Sequence, residues 1–501
     1  MNRENHHPSE EDNQPSAEKS AGIIYRLFQH SAIYSLSTSV QRLQGLIMTP
    51  IYTSSLYLPE MSQYGNYGLI YTFIAFMNFV YLFGMDSAFL RYFFLGKSNR
   101  KTVFSTIFYI LLLSGAALSL ILFAFSNQLA RWILFSADLA PLVKLAGIIL
   151  FLDSLGNLPF LILRAEEKPV RFSVFRMIRF VLELLLNILF VVILRQGVLG
   201  ILYANIWAAL ANFLIMLPYT LKYLGFRFNR SLLAEMLKFG IPFLPNGIAF
   251  MTIEMIDRFL VTKYLGKDVL AYYHANYKFA AILLLLIVGF RNAWQPFFLK
   301  HAQKSDAPSI YLKVLDYYLF IASILVVGTT LFVKDILTFK FFNAFYLLNN
   351  PEYWAGIDFI PWIILAYFCY GIYMIFTPGF YIEKKSQYMI VFTGTGALLN
   401  ILLNLWLLPR VGVWGAVVAT VVAYVMMAIS IYMVAQKIYP IPTSAKKFLT
   451  VFLLIGIFYG FYYIFEPQPV LKIGVFVIYT ALAWQIILTK QSRNAIITFF
   501  K

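Results

Sequence analysis

Four cations stand inside runs of the sequence that are otherwise strongly apolar: Arg42, Arg258, Lys278 and Arg291, the last within LLLLIVGFRNAWQPFFLK (283–300). A charged side chain at the centre of a bilayer helix costs about 2.5–3.5 kcal/mol on insertion scales, so cations kept there point to a water-filled cavity and an anionic ligand. Guanidinium offers forked donors to phosphate oxygens, and an ammonium adds a compact point charge. Arg42 lies in SLSTSVQRLQGLIMT, where Ser35, Thr38, Arg42, Gly45 and Thr49 recur at steps of three and four. Those steps put them on one helical face, too polar for lipid and suited to lining water. Arg42 is about 16 Å into that helix at 1.5 Å per residue. Lys278 follows His274 by one turn in YYHANYKFAAILLLL. About 12 Å below the start of its own span, at 1.5 Å per residue, an unsolvated ammonium is costly, and a cavity-facing position is favoured over snorkelling to the headgroups. Arg42, Lys278, Arg291 and Arg258 are the expected substrate-binding cations.

The acids suggest coupling or gating. MTIEMIDRFL sets Glu254, Asp257 and Arg258 at relative positions 0, 3 and 4, close enough for an ion pair within one helix and equally compatible with a cavity role. Glu183, four residues after Arg179, reads as that arginine's partner. Asp86 and Asp153 have no cation at helical spacing, which makes them candidates for protonation during a cycle. The expected coupling or gating residues are Asp86, Asp153, Glu254 and Asp257. Asn400 and Asn404, one turn apart, read as interhelical packing. His6 and His7 lack partners at ligand spacing and Cys369 is the single cysteine. Neither a metal site, a cofactor nor a catalytic residue is therefore expected.

The elements that must position these residues are membrane helices. Of 501 residues 60% are hydrophobic and 13% charged, a balance far from soluble domains. The net charge of +17 resides in short loops between apolar runs, which excludes nucleic-acid binding as its explanation. Segments long enough to cross a bilayer fall near 31–55, 64–90, 103–126, 142–163, 174–194, 198–220, 239–262, 270–298, 310–332, 357–381, 388–408, 413–436, 447–465 and 469–489, about fourteen transmembrane helices in an all-α polytopic membrane protein. Pro50, Pro159, Pro242, Pro245 and Pro378 interrupt several, as in broken helices around a cavity. Lys and Arg favour the loops on the N-terminal side by about three to one, which predicts both termini in the cytoplasm.

An internal repeat organises the chain. GMDSAFLRYF (84–93) aligns with GFRNAWQPFF (289–298), RQGVLG (195–200) with RVGVWG (410–415), and RAEEKP (164–169) with YIEKKS (381–386), at separations of 205, 215 and 217 residues. A six-helix offset gives parallel lobes related by an axis along the membrane normal, with a substrate site between them. The expected division is a disordered cytoplasmic tail (1–27), an N-terminal lobe (28–225), a C-terminal lobe (226–440), and a helix pair with a short cytoplasmic end (441–501). The repeat sets Asp86 opposite Arg291, which predicts that the two pair across the cytoplasmic mouth when it is shut.

TPIYTSSLYLPEMSQYGNYGL with GMDSAFLRYF, then IPFLPN and IDRFLVTKYLGKDVLAYYHANYKFA, then LLNILLNLWLLPRVGVWGAVVAT, resemble the bacterial oligosaccharide and polysaccharide (O-antigen-type) flippases, over residues 30 to about 436. These belong to the multidrug/oligosaccharidyl-lipid/polysaccharide exporter superfamily. The resemblance implies a bacterial inner-membrane transporter that moves polyprenyl-pyrophosphate-linked oligosaccharide by alternating access, coupled to an ion gradient, with a cation-lined cavity for the anionic head. Its implied partners are the lipid-linked substrate, membrane lipids and polysaccharide assembly enzymes. Alternatives within the superfamily are a peptidoglycan lipid-precursor flippase and a drug or cation antiporter. A membrane glycosyltransferase or polymerase would need paired carboxylates on an outer loop. Loop 333–356 instead has Asp335 and Glu352 far apart and no DxD.

Overall fold

The structure, a computed structural model, describes residues 44–95, 98–166, 168–302, 305–341, 345–383, 385, 387–465, 467–490 and 492–493. Its helices in chain order are α1 (Thr49–Tyr52), α2 (Met61–Leu82), α3 (Met85–Leu95), α4 (Arg100–Ala124), α5 (Ser126–Ile133), α6 (Ala140–Gly156), α7 (Leu158–Ala165), α8 (Pro169–Asn187), α9 (Gly197–Tyr223) and α10 (Arg230–Gly240). The second half holds α11 (Phe243–Leu265), α12 (Lys267–His301), α13 (Ala307–Thr338), α14 (Ile360–Ile375), α15 (Pro378–Ile382), α16 (Gln387–Val411), α17 (Trp414–Ile438), α18 (Ala445–Phe465) and α19 (Pro469–Ile486).

Among the described residues eleven helices are long and apolar enough to cross a membrane, and twelve when α2 and α3, bent by 40° at Phe83–Gly84, count as one. The predicted span 174–194 corresponds to α8 and the π-helical turn Ile188–Ile193 that continues it. It carries Arg171, Arg176, Arg179 and Glu183, too many charges for an apolar window, and buries Arg179 instead. The first predicted span lies mostly outside the described residues, and Arg42 with it. Large apolar side chains such as Leu120 (70% exposed) and Ile464 (75%) cover the outer faces, as a chain solvated by lipid permits. Inside, several threonines donate back to the carbonyl four residues earlier, for example Thr72 to Gly68 (2.7 Å) and Thr330 to Val326 (2.9 Å), which satisfies those hydroxyls within the helix.

The repeat is visible in the turns. Gly197 and Gly412 both have positive φ (56° and 62°), each at the tight corner before the next helix, where an L side chain would be strained. At the other pair of turns the hydrogen bonds coincide. Glu166 N donates to Ile162 O (2.7 Å) as Glu383 N does to Gly379 O (3.0 Å), and Lys168 N to Leu163 O (2.9 Å) as Lys385 N to Phe380 O (2.8 Å). The third aligned pair diverges: α2 breaks before Met85, whereas α12 runs unbroken through Gly289.

Within the first half α9 and α4 pack on α6, and α9 on α8; within the second, α16 packs on α17 and α11, and α14 on α17. The halves meet where α2 lies against α12 and α11. The connecting helix α10 packs on α3 and α4 through Leu232 and Met236, so this part of the link rests on the first half, beyond the predicted boundary at 225/226. The final pair, α18 and α19, lies on α13 and is tied to it at both ends. Lys447 pairs with the fully buried Asp316, which also accepts from Ser492 Oγ (3.1 Å), and Lys472 pairs with Asp335 (2.5 Å).

Candidate functional site

α2 supplies the first-half wall of a central cavity. Tyr64, Tyr67 and Tyr71 follow one another at steps of three and four, which puts their rings on one face, towards α12. Tyr67 stacks on Tyr64 (5.3 Å between centroids) and meets Tyr71 at 4.7 Å. Close approach at this end depends on Gly65, where a Cβ would run into the Lys267 carbonyl of α12. The rings of Tyr64 and Tyr67 lie 5.8 and 5.7 Å from that of His274.

The cavity between the halves has a volume of ≈ 540 Å³. Its charged lining among the described residues is Arg258, Lys278 and Arg291 against one carboxylate, Glu254. Tyr67, Tyr71, Tyr277 and Tyr367 contribute aromatic wall. A second cavity of ≈ 390 Å³ shares Asn78 and Phe79 with it and extends to Asp86. Three of the four expected binding cations therefore stand on one surface.

Their surroundings differ. Lys278 has no carboxylate within ion-pair distance among the described residues. It donates to Tyr67 Oη at 3.3 Å, and its ammonium lies 4.7, 5.3 and 5.8 Å from the ring centres of Tyr67, Tyr64 and Tyr52. All three tyrosines come from the first half, so a second-half cation sits in a first-half aromatic cage. Arg291 is exposed at the cavity's opposite end, and neither it nor the exposed Asp86 makes an ion pair among the described residues. Asp86 and Arg291 thus stand unpaired among the described residues at one end, while the Gly65–Lys267 end is closely packed.

Arg258 is almost fully buried and pairs with its neighbour Asp257 (2.5 Å), which also accepts from Tyr273 Oη at 2.5 Å. Its guanidinium lies 4.1 Å from the Tyr277 ring centre. The partner expected for it three or four residues earlier, Glu254, turns its carboxylate elsewhere. Glu254 accepts from Tyr367 Oη (3.0 Å) and from Tyr424 Oη, and only its backbone carbonyl receives Arg258. Glu254, Asp257 and Arg258 form one buried network at the junction of α11, α12, α14 and α17.

In the first half a second acid joins the expected pair. Arg179 donates to Asp153 at 2.7 Å, across helices, so Asp153 does have a cation, while the charge of Glu183 also acts on Arg179. Helical spacing could not reveal that contact, since Asp153 is on α6 and Arg179 on α8. Asn404 bonds Asn400 within its own helix (2.9 Å to the backbone oxygen). Asn400 Nδ2, Asn404 Oδ1 and Thr420 Oγ1 are buried without partners among the described residues. Groups of three His, Cys, Asp or Glu able to hold a metal are absent among the described residues. The tyrosines 52, 64, 67 and 71 were missed as site residues, although the 64, 67, 71 spacing was open to view.

The family described as "Polysaccharide biosynthesis protein" matches residues 58–298. A structure of the lipid II flippase MurJ in an inward closed conformation superposes with a TM-score of 0.72 at 16% identity, over 90% of this chain and 97% of that one. An inward-facing multidrug resistance MATE family transporter of the MOP superfamily gives 0.66 at 16%, over 81% and 97%. Its outward-facing counterpart gives 0.62 at 16%, over 84% and 96%. By fold, this chain is similar to transporters of the MOP superfamily. No curated protein sequence matches it. A fold of two parallel halves accounts for the central position of the cavity between them. The proteins it resembles are transporters and flippases rather than enzymes.

Proposed function

We propose that the transporter flips an oligosaccharide carried on polyprenyl pyrophosphate across a bacterial cytoplasmic membrane, by alternating access. The observation that carries this reading is the cavity's charge: three cations face one carboxylate, and Lys278 has no acid beside it among the described residues. Such a surface suits a pyrophosphate, and the match of residues 58–298 to a polysaccharide biosynthesis family suits a glycan. With both termini in the cytoplasm, as the loop charges imply, the Asp86–Arg291 end faces inward and the Gly65–Lys267 end outward. The shape described is then the one that loads cargo from inside.

In this reading Arg42, Lys278 and Arg291 contact the anionic head, and Arg258 faces it while held by Asp257. Asp86 and Arg291 pair when the inner mouth shuts. Glu254 and Asp257 in one half, and Asp153 in the other, are the groups through which an ion gradient acts. Polysaccharide assembly enzymes are the natural suppliers and receivers of the cargo. One observation favours a second cargo, the peptidoglycan lipid precursor: the MurJ structure covers 90% of the chain with a TM-score of 0.72. Both cargoes present a pyrophosphate, so the cavity alone does not separate them.

The test is genetic. Cells carrying Lys278→Ala or Arg291→Ala should lose surface glycan and accumulate lipid-linked glycan inside, with normal amounts of transporter in the membrane. Normal surface glycan with defective cell-wall synthesis would favour the second cargo, and unchanged levels of both would sink the cavity reading.

A further inference from the structure

The Lys278 ammonium faces two ways. It lines the central cavity, and it also fills the cage formed by Tyr52, Tyr64 and Tyr67. The cage belongs to the first half and the lysine to the second, so the contact spans the interface at the closed end. It does not act alone there. Asn349, in the loop before α14, donates its backbone N–H to Thr53 Oγ1 (3.1 Å) and its Nδ2 to Pro50 O (3.1 Å), both in the first half. Asn276, half a turn from Lys278 on α12, donates to Tyr353 O (2.7 Å) and so holds the same loop to α12. Tyr353 in turn meets Tyr64 edge to face at 5.7 Å.

We infer that the cage and the cargo's anionic head compete for Lys278, so that cargo binding from the cavity side unlocks the opposite end. Cation–π attraction to three rings is what an ammonium accepts when no anion is present. A pyrophosphate entering the cavity offers full negative charge and charge-assisted hydrogen bonds, a stronger partner than an aromatic face. Lys278 cannot lie over Tyr67 and Tyr64 and also turn fully to an anion in the cavity. Once it turns, the closed end keeps the Asn349 contacts and loses the charged tie that Lys278 makes among the described residues. A ligand shifts a two-state equilibrium only by its differential affinity for the states, and here the difference is the caged lysine, unavailable in one state and free in the other. An empty transporter then stays shut at the outer end, and a loaded one opens. The inference rests on the reading of the cavity as an anion site.

Spin labels test it on the intact transporter in lipid nanodiscs. With Cys369→Ala as background, Glu60→Cys and Asp268→Cys put labels on exposed residues of the two halves at the closed end. The probe is undecaprenyl pyrophosphate, with undecaprenol as the same tail without the head. The empty protein should give one short distance. Undecaprenyl pyrophosphate should add a longer population, and undecaprenol should not. Tyr64→Leu with Tyr67→Leu should raise that longer population at least about 3-fold with no probe. Tyr64→Phe with Tyr67→Phe, which keeps both rings, should remain short. Should the leucine variant fail to fold, Lys278→Met empties the cage from the other side and should likewise lengthen the distance without probe. Probe affinity is measured in parallel. Unchanged affinity in Lys278→Met would overturn the anion-site reading. Lost affinity in Lys278→Met, with wild-type distances in both cage-emptying variants, would overturn the lock alone.

Discussion

Replacing Asp257 by alanine isolates what the buried pair beside the cavity contributes. Asp257 is fully buried, holds Arg258 at 2.5 Å and receives Tyr273 Oη at 2.5 Å. Removing one member of a buried pair costs about 3–5 kcal/mol, because the other charge is left uncompensated. Here Arg258 keeps the Glu254 carbonyl and the Tyr277 ring at 4.1 Å, the latter amounting to about 2 kcal/mol in a desolvated setting. The lower end, about 3 kcal/mol, is therefore expected, including the unpaired Tyr273 hydroxyl. Asp257→Leu with Arg258→Met removes both charges and should return stability to within about 1 kcal/mol of wild type. Thermal melting of purified protein, followed by tryptophan fluorescence in one detergent, measures both. Export in cells then separates two roles. If Arg258 also serves the cargo, the double variant regains stability and not export. A single variant that melts within about 0.5 kcal/mol of wild type would refute the reasoning about the pair.

Three further outcomes follow from the geometry. Glu166, in the turn after α7, is hydrogen-bonded by Lys168 and Tyr223 and lies 3.9 Å from Lys222. Burial, the largest single influence, opposes its ionisation, but the hydrogen bonds from Lys168 and Tyr223 and the charges of Lys168 and Lys222 together hold its carboxyl below the usual glutamate value. Its folded pKa being the lower one, the stabilisation is present above the unfolded value of about 4.3 and is lost as pH falls through the folded value; melting of Glu166→Gln should thus be less sensitive to acid in that window. Gly197→Ala and Gly412→Ala force L side chains into positive φ at equivalent corners, so each should lower melting stability by about 1–2 kcal/mol, and a loss at only one would contradict the equivalence of the turns. Reversing Asp86 to Arg and Arg291 to Asp together should restore more export than either reversal alone; no gain in the double variant would dismiss the inner gate.

The sequence made the framework legible because membranes leave few choices: apolar runs of sufficient length must be helices, and their count and order were open to reading. Proline marked real breaks, between α6 and α7 at Pro159, between α10 and α11 at Pro242, and before α15 at Pro378. The repeat was legible where a turn demands special chemistry, as at Gly197 and Gly412, and less so where only apolar similarity carried it, since α2 breaks where α12 does not. Of the candidate site, intramembrane charge pointed to Lys278, Arg258 and Arg291, which line one cavity. What each charge touches was hidden. Asp153 and Arg179 are 26 residues apart and meet only because α6 and α8 flank a common partner, α9. The helix α10 gave no apolar run of membrane length, so its docking on α3 was invisible. The tyrosine cage depends on α1, α2 and α12 coming together, which no single stretch encodes.

The most direct test of the central claim is flipping by purified protein in liposomes. A fluorescently tagged sugar on undecaprenyl pyrophosphate is placed in both leaflets, and dithionite quenches only the outer one. Wild-type transporter should bring nearly all of the tagged lipid within reach of the quencher, whereas Lys278→Glu with Arg291→Glu should leave about half protected, as in protein-free liposomes. Equal quenching by the wild-type and charge-reversed proteins would contradict the account of an anion-binding cavity.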